Sequence, residues 1–242
     1  MKYPQWKGLT RCCVCGGKRF IQKNILWKEL IQDWELSDDE VIAMNQQQGY
    51  TCTTCRSNLR SINLAAALMH EGGVSWAQLK HETFDHFCRF SSFAQTTSLL
   101  EINSVYTLTS RLKHCIHHTL ASYPKYDMQH LLLPSHTYDI VVHADTLEHL
   151  PKKEKGLKEC YRVLKKGGAL LCTIPIVLTK LTRSRIGMKP SYHGKSFIRK
   201  NDYLVYTEFG ADFWTYFLDA GFSRIELFTI SGPNSLVIIA RK

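Results

Sequence analysis

The sequence has no long apolar run. No stretch of the 18 or so consecutive apolar residues that a membrane-spanning helix needs occurs in its 242 residues. Residues 1–13 also lack the continuous apolar core of a secretory signal. These two absences predict a soluble, cytoplasmic protein with no membrane partner.

The chain is also short of acidic residues. It has 31 Lys and Arg against 21 Asp and Glu, a formal net charge of +10. Such an excess is typical of proteins with nucleic-acid or membrane partners. The excess is local, however, because residues 151–200 carry +12 and the rest of the chain totals −2. The basic character therefore belongs to one segment.

Apolar residues make up 44% of the chain and charged residues 21%. At this length, the composition excludes a disordered tail and a disulfide-stapled miniprotein, and it leaves room for one or two packed domains. The nine cysteines therefore need another explanation, since clustered thiols in a reducing compartment usually bind metal or carry chemistry.

Two C-x-x-C pairs stand near the N-terminus, Cys12 with Cys15 and Cys52 with Cys55. Four thiolates complete the tetrahedral shell of zinc and leave no open position, so they predict a structural site. Cys13 could replace Cys12, although its spacing to Cys15 is tighter than usual. The alternative is that these are buried free thiols that bind nothing.

The 36 residues between the two pairs exceed the usual spacer of a compact zinc ribbon. Helical spacing of Trp27, Leu30, Ile31 and Trp34, followed by a capping box over 37–40, predicts two helices in this insert. We therefore expect residues 1–60 to form a zinc-knuckle module with a helical insert.

A helical connector is predicted over residues 61–96. Apolar residues at helical spacing from Leu59 to Met69 predict one helix, which Gly72 and Gly73 end. Residues 74–96 are rich in phenylalanine but show no helix with caps at both ends, so they are interpreted as a connector that packs on the C-terminal domain.

From residue 97, short apolar runs alternate with helical stretches, as in a parallel sheet covered by helices. A β-α-β unit is predicted over 138–174, with Gly167 and Gly168 turning the chain into its second strand. The other predicted elements are a strand over 98–102, a helix through Leu108, Leu112 and Ile116, a helix over 211–220, and a hairpin of strands 224–230 and 235–240.

Residues 138–150 and 159–168 carry a strand, then Leu-Glu-His, then a helix with Arg-Val-Leu, then Gly-Gly. With Pro175, residues 192–194 and residues 207–210, this order resembles class I S-adenosylmethionine-dependent methyltransferases. The resemblance covers residues 97–242. It implies an α/β Rossmann-like methyltransferase fold with a seven-stranded, mostly parallel sheet ending in an antiparallel hairpin, preceded here by a small N-terminal zinc-binding module.

The resemblance also implies a cofactor site for S-adenosylmethionine. Its positions in this sequence are Glu101 and Asn103 at the loop after the first strand, Ser122 at the ribose, Asp127 and Met128 at the adenine, and His143 and Ala144 at the methionine portion. The sequence departs from the family in the loop after Glu101, which has no glycine, and at Ser122, where an acid usually binds the ribose. Only 37 positions separate Glu101 from Tyr138, so we expect a shortened or missing strand or helix.

Methyl transfer needs nucleophile, methyl group and sulfur held in line, and a base where the nucleophile carries a proton. His149, Tyr192 and His193 are the catalytic candidates, although Glu148 and His149 could simply orient the following helix. The acceptor is unidentified, either a small molecule or a larger anionic group. Cations around residues 192–194 favour an anionic acceptor; they are Arg183, Arg185, Lys189, Lys195, Arg199 and Lys200.

Two other functions stay open at this point. The first is an RNA methyltransferase whose zinc module binds the nucleic acid. The second is a non-catalytic zinc-binding interaction protein with a decayed cofactor pocket.

Overall fold

Helices and short strands alternate along the described chain, which covers residues 8–193, 202–230, 232 and 235–242 of a computed structural model. From the N-terminus the elements are β1 (Phe20–Ile21), α1 (Lys28–Asp33), α2 (Asp38–Gly49), β2 (Thr51–Cys52), α3 (Leu59–Glu71), α4 (Phe84–Phe90), α5 (Ser92–Thr96), β3 (Leu99–Ile102), α6 (Thr109–Leu112), β4 (His118–Ala121), β5 (Tyr138–Ala144), α7 (Lys153–Val163), β6 (Leu164–Thr173), β7 (Ile176–Val177), β8 (Arg183–Ser184), β9 (Thr207–Gly210), α8 (Trp214–Asp219), β10 (Arg224–Phe228) and β11 (Val237–Arg241).

Helices α2 and α3 begin at local capping residues. The Ser37 hydroxyl accepts from the Glu40 amide, and the Glu40 carboxylate accepts from the Ser37 amide, which confirms the capping box at the start of α2. The Asn58 side chain caps α3 by accepting from a backbone amide of its first turn, and Gly72 ends that helix. The two insert helices and the helix after the second cysteine pair are therefore present as predicted.

Residues 74–96, which belong to the predicted helical connector, contain two short capped helices that the apolar pattern of the sequence does not show. Thr83 caps α4 and Ser91 caps α5, each through its hydroxyl. Phe84, Phe87 and Phe93 are buried on these two helices. Helices of seven and five residues show too few turns for a repeating apolar pattern, so their capping hydroxyls are the available local signal.

Among the described residues, the central sheet has six strands in the order β10-β11-β6-β5-β3-β4. Strands β4, β3, β5 and β6 are parallel, and β11 pairs antiparallel with both β6 and β10. This mixed sheet with a C-terminal antiparallel hairpin confirms the predicted α/β Rossmann-like architecture.

The edge of the sheet beside β4 differs from the seven-stranded expectation. Strand β4 is absent from the sequence prediction, because its partly exposed residues give no continuous apolar run. In the described chain, residues 122–137 contribute no further strand to the sheet, which explains the short spacing before β5. The helix predicted through Ile116 stops at Leu112, and Ile116 is 62% exposed.

The two faces of the sheet are covered by different helices. Helix α3 is almost entirely buried and contacts β6 and β11 on one face. Helices α7 and α8 pack together on the other face, where Gly221 (φ +109°) follows α8 against the Tyr161 ring. Gly167 and Gly168 lie inside the long strand β6 rather than before it, because α7 ends directly at Val163.

A second, three-stranded sheet has the order β7-β9-β8. The helical insert of the N-terminal module packs beside it, since Leu30, Trp34 and Met44 share a core with Val177 and Val205. The N-terminal insert is thus joined to the segment that follows the central strand β6. Within the described residues, no helix combines the length and apolar character needed to cross a membrane.

Candidate functional site

Four cysteine side chains from the two C-x-x-C pairs meet at the β1–β2 ribbon. The Sγ atoms of Cys12, Cys15, Cys52 and Cys55 all lie within 4.8 Å of one another. The Cys12–Cys55 separation is 3.7 Å and the Cys15–Cys52 separation is 3.8 Å. Zinc–sulfur bonds of about 2.3 Å place the sulfurs of a tetrahedral shell about 3.8 Å apart, so this donor set fits zinc.

Cys13 lies outside this cluster. Its thiol donates to the carbonyl of Ile62 at 3.3 Å and is buried. Cys12 is therefore the residue that the structure brings to the other three. The hydrogen bond between the two thiols lowers the pKa of Cys55 and raises the pKa of Cys12, so Cys55 is the thiol of the pair that ionises more readily.

The carboxyl ends of β3 and β5 lie side by side, because the two strands are parallel and Ile102 is in register with His143. In open α/β sheets, ligands bind at this edge. Four of the predicted cofactor residues, Glu101, Asn103, His143 and Ala144, are brought to it.

Glu101 is fully buried and its carboxylate is already engaged. It accepts from the Val105 amide and faces His118 Nε2, each at 2.8 Å, and the Thr109 hydroxyl also donates to it. The carboxylate thereby closes the loop that follows β3. In this conformation Glu101 holds the loop and is occupied by protein partners.

Asn103 takes the place of a loop glycine in the left-handed region, with φ +56°. Its side-chain oxygen accepts from the Tyr123 amide at 3.0 Å, and its backbone amide donates to the Ala121 carbonyl at 2.9 Å. Asparagine tolerates this conformation better than other non-glycine residues. The loop therefore ties the ends of β3 and β4 together without glycine.

The residues predicted for the ribose and adenine lie beyond β4. Ser122 is half-buried directly after that strand. The Asp127 carboxylate accepts from the Gln129 amide at 2.8 Å. Met128 is only 2% exposed and belongs to the hydrophobic core with Leu147. In this conformation Met128 fills the core.

His143 is fully buried at the end of β5. Among the described residues, neither of its ring nitrogens has a hydrogen-bond partner. Burial lowers the pKa of His143 to about 3, so the ring is neutral at physiological pH. A buried ring with two unpartnered nitrogens indicates a polar ligand at this edge.

Sequence reasoning missed an ion pair between Arg60 and Asp145 at the same edge. Their side chains are 4% and 8% exposed. Arg60 reaches the edge from α3, and its guanidinium carbon lies 5.5 Å from the centre of the Tyr106 ring. Burial lowers the pKa of Arg60. The sequence feature that could have pointed to Arg60 is its place in a predicted helix beside the apolar residues Leu59 and Ile62.

Glu148, His149 and His193 form a second group after β5, beside the strands of the three-stranded sheet. One donor atom from each of them lies within 4.8 Å of the other two. Burial raises the pKa of Glu148 and lowers the pKa of His193 to about 3. The structure thus brings together two of the three predicted catalytic residues, and it adds Glu148 to them. Tyr192 pairs with Leu204 in a β-bridge and is 37% exposed.

Trp34 lies against this group. Its indole ring is 4.9 Å from the His193 ring, and its Nε1 donates to the Ser191 hydroxyl at 3.0 Å. The N-terminal insert therefore forms one wall beside the candidate catalytic residues. Sequence reasoning placed Trp34 only on a helix face.

Two of the cations expected to receive an anionic acceptor are occupied inside the protein. Arg183 and Arg185 both pair with Glu208, and Arg185 also contacts Asp33 at 2.7 Å. Arg185 is buried. Their charges are compensated, so neither arginine is a free cation in this conformation. Residues 194–200, which include the predicted cations Lys195, Arg199 and Lys200, lie outside the described residues.

Residues 102–172 match a protein family described as "Methyltransferase domain". The chain has an α/β Rossmann-like fold. The matched segment runs from the end of β3 through most of β6 and so contains the carboxyl ends of β3 and β5. It covers less than a third of the chain.

Similar proteins carry related names. A protein of Mycolicibacterium smegmatis named "Probable S-adenosylmethionine-dependent methyltransferase" is 37% identical over 67 residues, 26% of each chain. The chain thus spans about a quarter of the length of this curated relative. A methyltransferase structure from Thermotoga maritima has a TM-score of 0.37 at 16% identity, covering 61% of this chain and 83% of the other. One from Mesorhizobium loti has a TM-score of 0.41 at 13% identity, covering 62% and 92%.

Proposed function

We propose that the chain is an S-adenosylmethionine-dependent methyltransferase. One observation supports the proposal above all. The segment that matches the methyltransferase family contains a sheet edge with buried polar atoms that have no hydrogen-bond partner among the described residues. At that edge His143 has no hydrogen-bond partner among the described residues, and Arg60 and Asp145 present opposite charges side by side.

The methionine portion of the cofactor fits these residues. It ends in an ammonium and a carboxylate, which are complementary to Asp145 and Arg60 respectively, and binding requires that the ion pair between these two side chains opens. Such charge-assisted hydrogen bonds are stronger than neutral ones, particularly where water is excluded. We therefore assign Arg60 and Asp145 to the methionine portion, together with His143 and Ala144, which the family resemblance places there.

The ribose and adenine portions are proposed to meet a different arrangement from that of the family. Asn103 and Ser122 supply an amide and a hydroxyl where the family has glycine and an acid. Asp127 and Met128 are proposed at the adenine, which requires that Met128 leaves part of its core position. Weaker binding of the cofactor than is usual for the fold is the expected consequence.

When bound, the cofactor supplies a methyl group activated by a sulfonium. The protein's own task is then to hold the acceptor nucleophile in line with that group. We assign His149, Tyr192 and His193 to the acceptor side. The His149 Nδ1–H donates to the Leu204 carbonyl at 2.9 Å, which fixes the ring and turns Nε2 towards Glu148.

The four-cysteine cluster is proposed to bind one structural zinc ion. Four thiolates leave no coordination position for substrate, so the ion would stabilise the N-terminal module. That module carries Trp34 to the acceptor side. The zinc would thus contribute to the acceptor side only by stabilising the module that positions Trp34.

The two alternative functions receive less support. The RNA alternative rests on binding of the nucleic acid by the zinc module, and the basic segment adds little to it, because Arg183 and Arg185 are compensated by Glu208 and Asp33. The non-catalytic alternative is disfavoured by the unsatisfied polar edge that the matched segment retains.

A methyl-transfer assay tests the proposal. The protein is incubated with S-adenosylmethionine labelled at its methyl group and with fractions of a small-molecule extract. Formation of labelled product that requires both protein and one fraction is expected. Tyr192→Ala should lower the rate, whereas Leu227→Ala, at an exposed position on β10, should not. Turnover that is unchanged in His149→Ala and Tyr192→Ala would overturn the assignment of the acceptor side.

A further inference from the structure

A second group of metal-ligating side chains lies far from the cysteine cluster in the sequence. Glu148 and His149 belong to a short 3₁₀ turn after β5, and His193 follows the bridge between Tyr192 and Leu204. One donor atom from each of the three residues lies within 4.8 Å of the other two.

The Glu148 carboxylate is buried, and it interacts electrostatically with His149 and Arg60. Its side chain is 1% exposed. Within the described part of the chain, neither carboxylate oxygen has a hydrogen-bond partner, and His149 Nε2 lies 3.7 Å from Oε1. Burying a carboxylate without compensation costs several kcal/mol, on the order of the stability of a whole domain.

His149 is oriented as metal-binding histidines usually are. Its Nδ1–H donates to the Leu204 carbonyl at 2.9 Å, so the lone pair is on Nε2, the ring nitrogen that faces Glu148. Such a hydrogen bond to a backbone carbonyl fixes the tautomer and raises the basicity of the ligand nitrogen. The geometry of this residue is therefore that of a preorganised ligand.

His193 offers a second nitrogen. Its Nε2 is buried and has no hydrogen-bond partner among the described residues. Its ring is held on two sides, by Trp34 at 4.9 Å and edge-on by His149 at 5.9 Å between ring centres. The backbone amide of His193 also donates to the Tyr203 carbonyl at 3.0 Å. Packing thus fixes the ring and leaves Nε2 available.

The cations near this group are engaged by other carboxylates. Arg60 is paired with Asp145. Arg185 is paired with Glu208 and Asp33. Arg60 also interacts electrostatically with Glu148, but its ion-pair partner is Asp145, and neither Glu148 oxygen has a hydrogen-bond partner among the described residues.

We propose that Glu148, His149 and His193 bind a divalent first-row transition-metal ion. Two imidazole nitrogens and one carboxylate oxygen are the donor set of open zinc sites and of mononuclear iron(II) sites. Three protein ligands leave at least one position for water or another oxygen ligand. This site would keep an open coordination position, whereas the four thiolates of the cysteine site would complete the shell of their ion.

Metal content of the purified, cofactor-free protein tests this site without reference to methyl transfer. After loading with Zn²⁺ and removal of the excess, the wild type should retain about two zinc ions per chain, one in each site. Glu148→Gln and His193→Gln should each retain about one. His86→Gln, which changes an exposed histidine, should retain both.

Cobalt substitution separates the two sites in the same protein. The cysteine site gives intense thiolate-to-cobalt absorption, and the proposed site gives only weak bands of nitrogen and oxygen ligation. In a Co²⁺ titration of Glu148→Gln, the weak bands of nitrogen and oxygen ligation should be missing at the concentration that saturates the wild type, because the affinity of the proposed site falls more than about tenfold. If Glu148→Gln does not fold, His149→Gln provides the same readout. The proposal would be overturned if the wild type retained one zinc ion per chain, or if Glu148→Gln and His193→Gln each retained two.

Discussion

The guanidinium of Arg60 forms a buried ion pair with the carboxylate of Asp145, joining helix α3 to the carboxyl end of β5. Asp145 directly follows the last residue of that strand, and Arg60 lies 85 positions earlier in the sequence. The pair thus places a charge from the N-terminal region beside the predicted cofactor site.

Removal of one partner from this pair should destabilise the fold strongly. Asp145→Asn leaves the guanidinium buried without a counter-charge, and a cost of roughly 3–5 kcal/mol is expected for such a pair. Urea denaturation measures the change. Lys165→Met removes a half-exposed pair with Asp139 and should cost less than about 1 kcal/mol. Equal effects of the two substitutions would contradict the structural role given to Arg60.

Loss of the Trp34 side chain should separate the N-terminal insert from the three-stranded sheet. The residue is 1% exposed, and truncation of a buried tryptophan to alanine costs roughly 3–5 kcal/mol. Thermal unfolding of Trp34→Ala should therefore begin well below that of the wild type. Trp27→Ala is the control, because that side chain is 46% exposed. A small and equal shift for both would show that the insert does not dock as described.

His143 should make the protein less stable in mild acid. Burial holds its pKa at about 3, below the ordinary value of 6.5, so between these two pH values the unfolded chain binds a proton that the folded chain does not. Stability should fall with decreasing pH across that window, by up to about 1.4 kcal/mol per pH unit.

The His143→Leu variant isolates this contribution. Its stability should depend less steeply on pH between about 6 and about 5 than that of the wild type, since the titrating group is gone. His86→Gln should keep a slope close to that of the wild type, because it removes an exposed histidine. Denaturant midpoints at several pH values give both slopes. An unchanged slope in His143→Leu would show that His143 is not buried as a neutral ring.

The cysteine cluster predicts a metal-dependent N-terminal module. Cys52→Ser should lose the zinc of that site and unfold the β1–β2 ribbon, because the binding energy of a structural zinc is part of the folding energy. Cys13→Ala, one residue from a ligand, should keep the metal. Metal analysis with limited proteolysis distinguishes them. Retention of the zinc in Cys52→Ser, with proteolysis unchanged, would contradict a four-cysteine site.

Much of the fold could be predicted from the sequence because it rests on local signals. The strands of the β-α-β unit are continuous apolar runs, and helix α2 of the insert begins with a capping box. Strand β4 could not be predicted in this way. Its side chains are partly exposed at the edge of the sheet, and it is held by pairing with β3, which the local pattern does not show.

The site was less predictable, because its contacts join distant parts of the chain. The cysteine set was found because its chemistry depends on short spacing. Arg60 and Trp34 were missed as site residues, since each contacts a partner more than eighty positions away. Sequence reasoning leaves Arg183 and Arg185 as free cations because Glu208 and Asp33 are not their neighbours in sequence.

The central claim is that the carboxyl edge of the sheet binds S-adenosylmethionine. Isothermal titration calorimetry with S-adenosylmethionine and with its demethylated product measures this directly. We expect saturable binding of one ligand per chain, which is weakened in Asp145→Asn and unchanged in Leu227→Ala. Heat no greater than that of dilution at millimolar ligand, with folded wild-type protein, would contradict the claim.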